Sequence, residues 1–66
     1  MPVISVNGKS LSVAERVTVT ELLQQLQVRG RFAVEVNEQI VPSSQHAKRQ
    51  LYAGDRVEIV VAIGGG

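Results

Sequence analysis

Cysteine is absent from this chain. Its absence removes disulfides, thiolate metal sites and any carrier chemistry that runs through a side-chain thiol or persulfide. Tryptophan is absent too, and Phe32 and Tyr52 are the only aromatic residues. Seven Lys and Arg stand against six Asp and Glu, a formal net charge of +1, and they form no basic block. Chains that bind nucleic acid show a basic face or base-stacking aromatics, so no nucleic-acid partner is expected. The longest purely apolar run, Ile59 to Ile63, falls far short of the roughly 20 residues of a membrane span. The N-terminus lacks the basic segment and apolar stretch of an export signal. A soluble protein with a cytoplasmic location and no membrane partner is expected.

At 66 residues the chain makes one domain with one core. That leaves no room for a deep active-site cleft beside the core, which argues against a self-contained enzyme.

The elements are legible from turn and cap chemistry. Pro2 to Val6 is β-branched and extended. Asn7-Gly8 is the strongest two-residue hairpin signal, because a type I′ turn needs positive φ at both central positions. Such a loop pairs Val6 with Lys9 and Ile4 with Leu11, placing Ile4, Val6, Leu11 and Val13 on one face. Thr18 and Glu21 form a capping box, with Val17 and Leu22 placed as a hydrophobic staple. Val19, Leu22, Leu23 and Leu26 then make one apolar helical stripe, and Gly30 is the expected C-terminal stop. Phe32, Val34 and Val36 alternate as a third strand. Gln39 to Val41 is a short strand ended by Pro42. Residues 42–50 read as a polar loop with a short helical turn, and Ala53-Gly54-Asp55 as a turn.

Arg56 to Ile63 is the last strand. Val57, Ile59, Val61 and Ile63 fill one face, while Val60 and Ala62 keep the other apolar as well, as in a central strand. This order is that of an α+β chain with a β-grasp (ubiquitin-like) fold: a mixed sheet of four to five strands packed on one helix. The first and last strands are expected to lie parallel in its middle. Val3, Val60 and Ala62 would then share the open face of the sheet, a candidate docking surface for partners. Residues 1–63 are read as the domain and 64–66 as a flexible tail.

Six glycines are present. Gly8, Gly30 and Gly54 fall at turns or a helix end, but Gly64, Gly65 and Gly66 have no turn to serve. At a background of about 7% glycine, three in a row arise by chance in roughly three of ten thousand chains. A frayed terminus or a cloning remnant remains an ordinary reading of them. The functional reading is physical: glycines can thread a narrow channel, and three extended residues reach about 10 Å. The carboxylate of Gly66 would thereby enter another protein's active site. Adenylated by ATP, it becomes a mixed anhydride open to a sulfur nucleophile, and the product thiocarboxylate is a good sulfur donor.

The closing segment Val60-Val61-Ala62-Ile63-Gly64-Gly65-Gly66, the capped helix from Thr18 to Leu26 and the run Val36-Asn37-Glu38-Gln39-Ile40-Val41-Pro42 resemble the ThiS family of bacterial sulfur carriers for thiazole biosynthesis. The likeness runs the length of the chain. It implies a carrier that is not itself an enzyme and binds no cofactor. An E1-like, ThiF-like adenylyltransferase would consume ATP to adenylate Gly66. Sulfur would come from a cysteine desulfurase system as a persulfide, and a ThiG-like thiazole synthase would accept it for the thiazole ring of thiamin. Gly64 and Gly65 would thread the partner's active site. Family members commonly end in two glycines and carry a basic residue after Val-Pro; here there are three, and Ser43 takes that position. A MoaD-like molybdopterin-synthase subunit, a ubiquitin-like protein modifier and an inert interaction module share the same fold and are the competing readings.

The remaining polar residues carry little. His46, the sole histidine, lies in a polar stretch and is expected to be a solvated side chain. With no cysteine and no carboxylate at motif spacing, no metal site is expected. Asp55 reads as a turn residue, and Glu35, Glu38 and Glu58 do not form a matched acid–base pair.

Overall fold

The computed structural model describes residues 1–62. Ile63, Gly64, Gly65 and Gly66 lie outside them, and with them the expected domain–tail boundary. The elements run β1 (Val3–Val6), β2 (Lys9–Ser12), α1 (Val19–Gln25), β3 (Phe32–Val36), β4 (Gln39–Val41), a 3₁₀ turn (Ser43–Gln45) and β5 (Arg56–Val61). The five strands form one sheet in the order β2-β1-β5-β3-β4. β5 is central, parallel to β1 and antiparallel to β3. This is the mixed sheet and single helix of the β-grasp expected.

The first hairpin has the register its turn dictates, with Ile4 opposite Leu11 and Val6 opposite Lys9. Asn7 and Gly8 both take positive φ, 50° and 84°, as a type I′ turn requires. The second hairpin repeats the device at Asn37 and Glu38, φ 52° and 69°, here without glycine. The α1 capping box forms as read: Thr18 Oγ1 accepts from the Glu21 N–H, and Glu21 Oε1 accepts from the Thr18 N–H. The two N–H groups between them donate to the Arg49 and His46 carbonyls, so the loop after the 3₁₀ turn completes the cap.

The core lies between the sheet and α1. Ile4, Val13, Val17, Val19, Leu22, Leu23, Val34, Val36, Val57 and Ile59 are buried in it, joined by Val41 and Leu51. Two sequence assignments fail at its edge. Leu26, placed in the apolar stripe, is 38% exposed and caps the helix. Val61, placed on the core face, is 44% exposed. A seven-residue helix is only about 10 Å long, too short to cover the end of β5.

The helix also stops earlier than expected, and not at Gly30. Gln27 adopts the left-handed conformation at φ 57°. Its N–H donates to the Gln24 carbonyl, and the Val28 N–H reaches back to the Leu23 carbonyl. These are the two bonds of a Schellman motif, with Val28 packed on the core. Gly30, at φ 82°, shapes the turn that follows.

Candidate functional site

The candidate site expected from the sequence, Gly64 to Gly66, follows the far end of β5 in the chain. β5 is held on both sides. On the β3 side the ladder runs from Val36 opposite Val57 to Phe32 opposite Val61. One further bond, from the Ala62 N–H to the Arg31 carbonyl, 2.9 Å, carries it to the last described residue. On the other side β1 ends first, its ladder closing with the Asn7 N–H on the Val57 carbonyl. The Asn7 side chain then stands in for the missing strand. Its Oδ1 accepts from the Ile59 N–H at 2.7 Å, and its Nδ2 donates to the Ile59 carbonyl at 3.1 Å.

Asn37 acts likewise at the start of β5: its Oδ1 accepts from the Arg56 N–H and its Nδ2 donates to Asp55 Oδ1. Asp55 is more than a turn residue. Its Oδ2 also accepts from the Tyr52 N–H and lies 3.8 Å from Arg49, so its carboxylate is committed to the frame that starts β5.

Strand alternation puts Val3, Val60 and Ala62 on the open face of the sheet, all exposed. They do not form one patch. The Gly54 N–H bonds the Val3 carbonyl, so Val3 lies level with Gly54, and Val60 lies six residues further along the strand direction. At about 3.3 Å per residue that is roughly 20 Å. Val60 instead sits opposite Ala33, and Ile40, 68% exposed, sits opposite Glu35 on the same face. The sequence reading passed over Ala33 and Ile40. The Asn37-Glu38 turn fixes the Glu35–Ile40 pair, but the β3–β5 register has no local signal. Glu35 and Glu58 face each other directly across β3 and β5.

His46 is not the solvated residue expected. It is buried, its Nε2 lies 3.0 Å from the Val41 carbonyl, and its ring stacks on Phe32 with centroids 6.1 Å apart. The 3₁₀ turn after Pro42 folds the chain back and drives the ring inward, so it is a structural wedge. Among the described residues no three His, Asp or Glu side chains converge to hold a metal ion, and no helix is long and apolar enough to cross a membrane. The roles expected of Gly64, Gly65 and Gly66 lie outside the described residues.

This arrangement has close parallels. The crystal structure of a thiamine biosynthesis protein (ThiS) from Geobacter metallireducens superposes with a TM-score of 0.83 at 35% identity, covering 97% of this chain and 99% of that one. A solution structure of a thiamine biosynthesis protein from the same organism gives 0.81 at 35% identity, covering 97% and 87%. The sulfur carrier protein ThiS of Escherichia coli is 38% identical over 61 residues, spanning 91% of this chain and 92% of its own. A thiazole synthase from Paramagnetospirillum magneticum is 44% identical over 62 residues, 92% of this chain but 19% of that protein. The chain thus spans about a fifth of the synthase and nearly all of the carrier. The ThiS family pattern matches residues 3–66, terminal glycines included, and the chain belongs to that family.

Proposed function

We propose that this chain carries sulfur for thiamine biosynthesis on its own C-terminal carboxylate, that of Gly66. The observation that carries the reading is the match to the ThiS family through the last residue, on a fold whose central strand leads into the tail. The carboxylate of Gly66 attacks the α-phosphate of ATP in a ThiF-like adenylyltransferase, and pyrophosphate leaves. A persulfide sulfur, supplied from cysteine by a desulfurase, then displaces AMP. Cleavage of the S–S bond by a thiol leaves the thiocarboxylate. A ThiG-like thiazole synthase takes the sulfur, and the carboxylate returns.

The carrier needs no catalytic side chain for this: it supplies reach, through Gly64 and Gly65, and a surface by which it is recognised. It acts as co-substrate of its partners. The cytoplasm, where ATP and cysteine are both available, is the location this reading proposes. The similarity of nearly the whole domain to one-fifth of a thiazole synthase supports the synthase as the acceptor, since a covalent union favours components that work together.

The test is an intact-mass measurement after incubation with ATP, a ThiF-type adenylyltransferase, cysteine and a desulfurase. Exchange of one oxygen for sulfur is expected, and it disappears on deletion of Gly66. An unchanged mass with enzymes shown active on another carrier would overturn the reading. Adducts on lysines of other proteins would point to a modifier instead.

A further inference from the structure

Asn7 is followed by glycine, and that pair has a chemistry of its own. In an Asn-Gly sequence the glycine nitrogen can attack the side-chain amide carbon, because no Cβ on the next residue blocks the approach. Asn7 and Asn37 are the only asparagines. Both open a turn with positive φ, both hold β5 by their side chains, and only Asn7 precedes glycine. The Gly8 N–H donates to no backbone carbonyl among the described residues, and the space where a Cβ would stand is open. Gly8 is exposed, so the nucleophile is free and in reach of water. The electrophile is held away from it. β1 lies between β2 and β5. The main chain leaves Asn7 through Gly8 toward β2, while the Asn7 side chain is pinned by both polar atoms to Ile59 of β5. Ring closure requires the amide to let go of Ile59 and swing back onto the Gly8 nitrogen.

We propose that Asn7-Gly8 is a site of spontaneous deamidation whose rate is set by the opening of the clamp on Ile59. In the open state the Gly8 nitrogen gives up its proton to solvent base and bonds to the Asn7 Cγ. The Cγ–Nδ2 bond breaks, ammonia leaves with a proton from water, and a cyclic succinimide remains. Water opens the ring at either carbonyl, giving aspartate or isoaspartate, with nothing oxidised or reduced. Neither product restores the clamp. Aspartate keeps an acceptor for the Ile59 N–H but sets its second oxygen against the Ile59 carbonyl, where the donor stood at 3.1 Å. Isoaspartate adds a main-chain carbon to the loop and so breaks the turn that sets the β1–β2 register. Past Val57, β5 is then held by β3 alone. A modification made at the turn is thereby felt in the central strand.

The test is peptide mass mapping of the full chain aged in mildly alkaline buffer, folded and in guanidinium chloride. Replacement of amide by acid is expected at Asn7 and not at Asn37. It should run about thirtyfold slower in the folded chain, the factor by which two hydrogen bonds of ordinary net strength favour the clamped state. As low denaturant is added, the folded rate should follow hydrogen exchange at the Ile59 amide, since both need the clamp open. Asn7→Gly keeps the turn and should show no mass gain in this peptide. Asn7→Asp reproduces one product directly, and should melt lower and exchange faster at Ile59. Equal rates in folded and unfolded chains would mean that the clamp gates nothing, and overturn the proposal. So would a folded chain that never converts while the unfolded one does, or Asn37 reacting as fast as Asn7. An Asn7→Asp chain matching wild type in Tm and in Ile59 exchange overturns it as well. These readouts need no partner enzyme, so the function proposed above stands or falls separately.

Discussion

Asn7 holds Ile59 by both of its backbone groups, side chain to main chain, across 52 positions of sequence. The same asparagine supplies the positive φ that turns β1 into β2. One residue therefore closes the hairpin and continues the sheet along the strand that leads to the terminus.

Replacing Asn7 by glycine keeps the turn and removes the clamp. Two part-buried hydrogen bonds at about 1 kcal/mol net each predict a loss of about 2 kcal/mol in urea denaturation. Faster hydrogen exchange at the Ile59 amide should accompany it. Unaltered stability and exchange would show that the clamp contributes nothing.

Gln27 and Glu38 occupy left-handed backbone at φ 57° and 69°, where glycine is unstrained. Gln27→Gly and Glu38→Gly should each stabilise the domain by up to about 1 kcal/mol, despite the extra freedom glycine gives the unfolded chain. For a domain this small that is a Tm rise of about 4–8 °C. Glu38 also lies 3.4 Å from Arg56, but that pair is solvent-exposed, and its loss matters little. A fall in Tm at either position would refute the strain argument.

His46→Ala removes a buried ring and its hydrogen bond to Val41, at an expected cost of about 2–3 kcal/mol. His46→Phe keeps the stack on Phe32 and loses only the hydrogen bond, so it should cost less. Calorimetric melting of both variants decides the order. Equal Tm values for His46→Ala and wild type would mean the ring is not a wedge.

Val60→Asp should weaken adenylation while leaving the fold intact, because the side chain is exposed and beside the tail. Val3→Asp is the control: it lies on the same face roughly 20 Å away and should leave KM within about twofold. Comparable damage from both would mean that the whole face docks.

What the sequence made legible was local. The Asn7-Gly8 turn fixed the first register, and the Thr18–Glu21 box fixed the start of α1. The two apolar faces of 57–62 identified the central strand. What it hid depends on contacts between distant segments. His46 is polar in its own stretch and becomes buried only when the 3₁₀ turn meets Phe32. Leu51 is buried among residues that arrive from α1 and the sheet. Gln27 takes the place expected of a glycine because two hydrogen bonds and the burial of Val28 outweigh its strain. For the site, alternation put Val60 and Ala62 on the open face, but the β3–β5 register that pairs Val60 with Ala33, and Glu35 with Glu58, has no signature in either strand alone.

The central position of β5 also has a mechanical consequence. Traction on the C-terminal end of β5 would act along its axis, in line with the strand on each side of it. The ladder bonds to β1 and β3 are then loaded together in shear, and none can yield singly as in an unzipping hairpin. Asn7 adds its two bonds at the end where tension enters. Were the terminus attached to an edge strand such as β4, traction would peel the sheet from its margin. Pulled from its middle strand, the sheet resists traction better than it would if pulled from its margin.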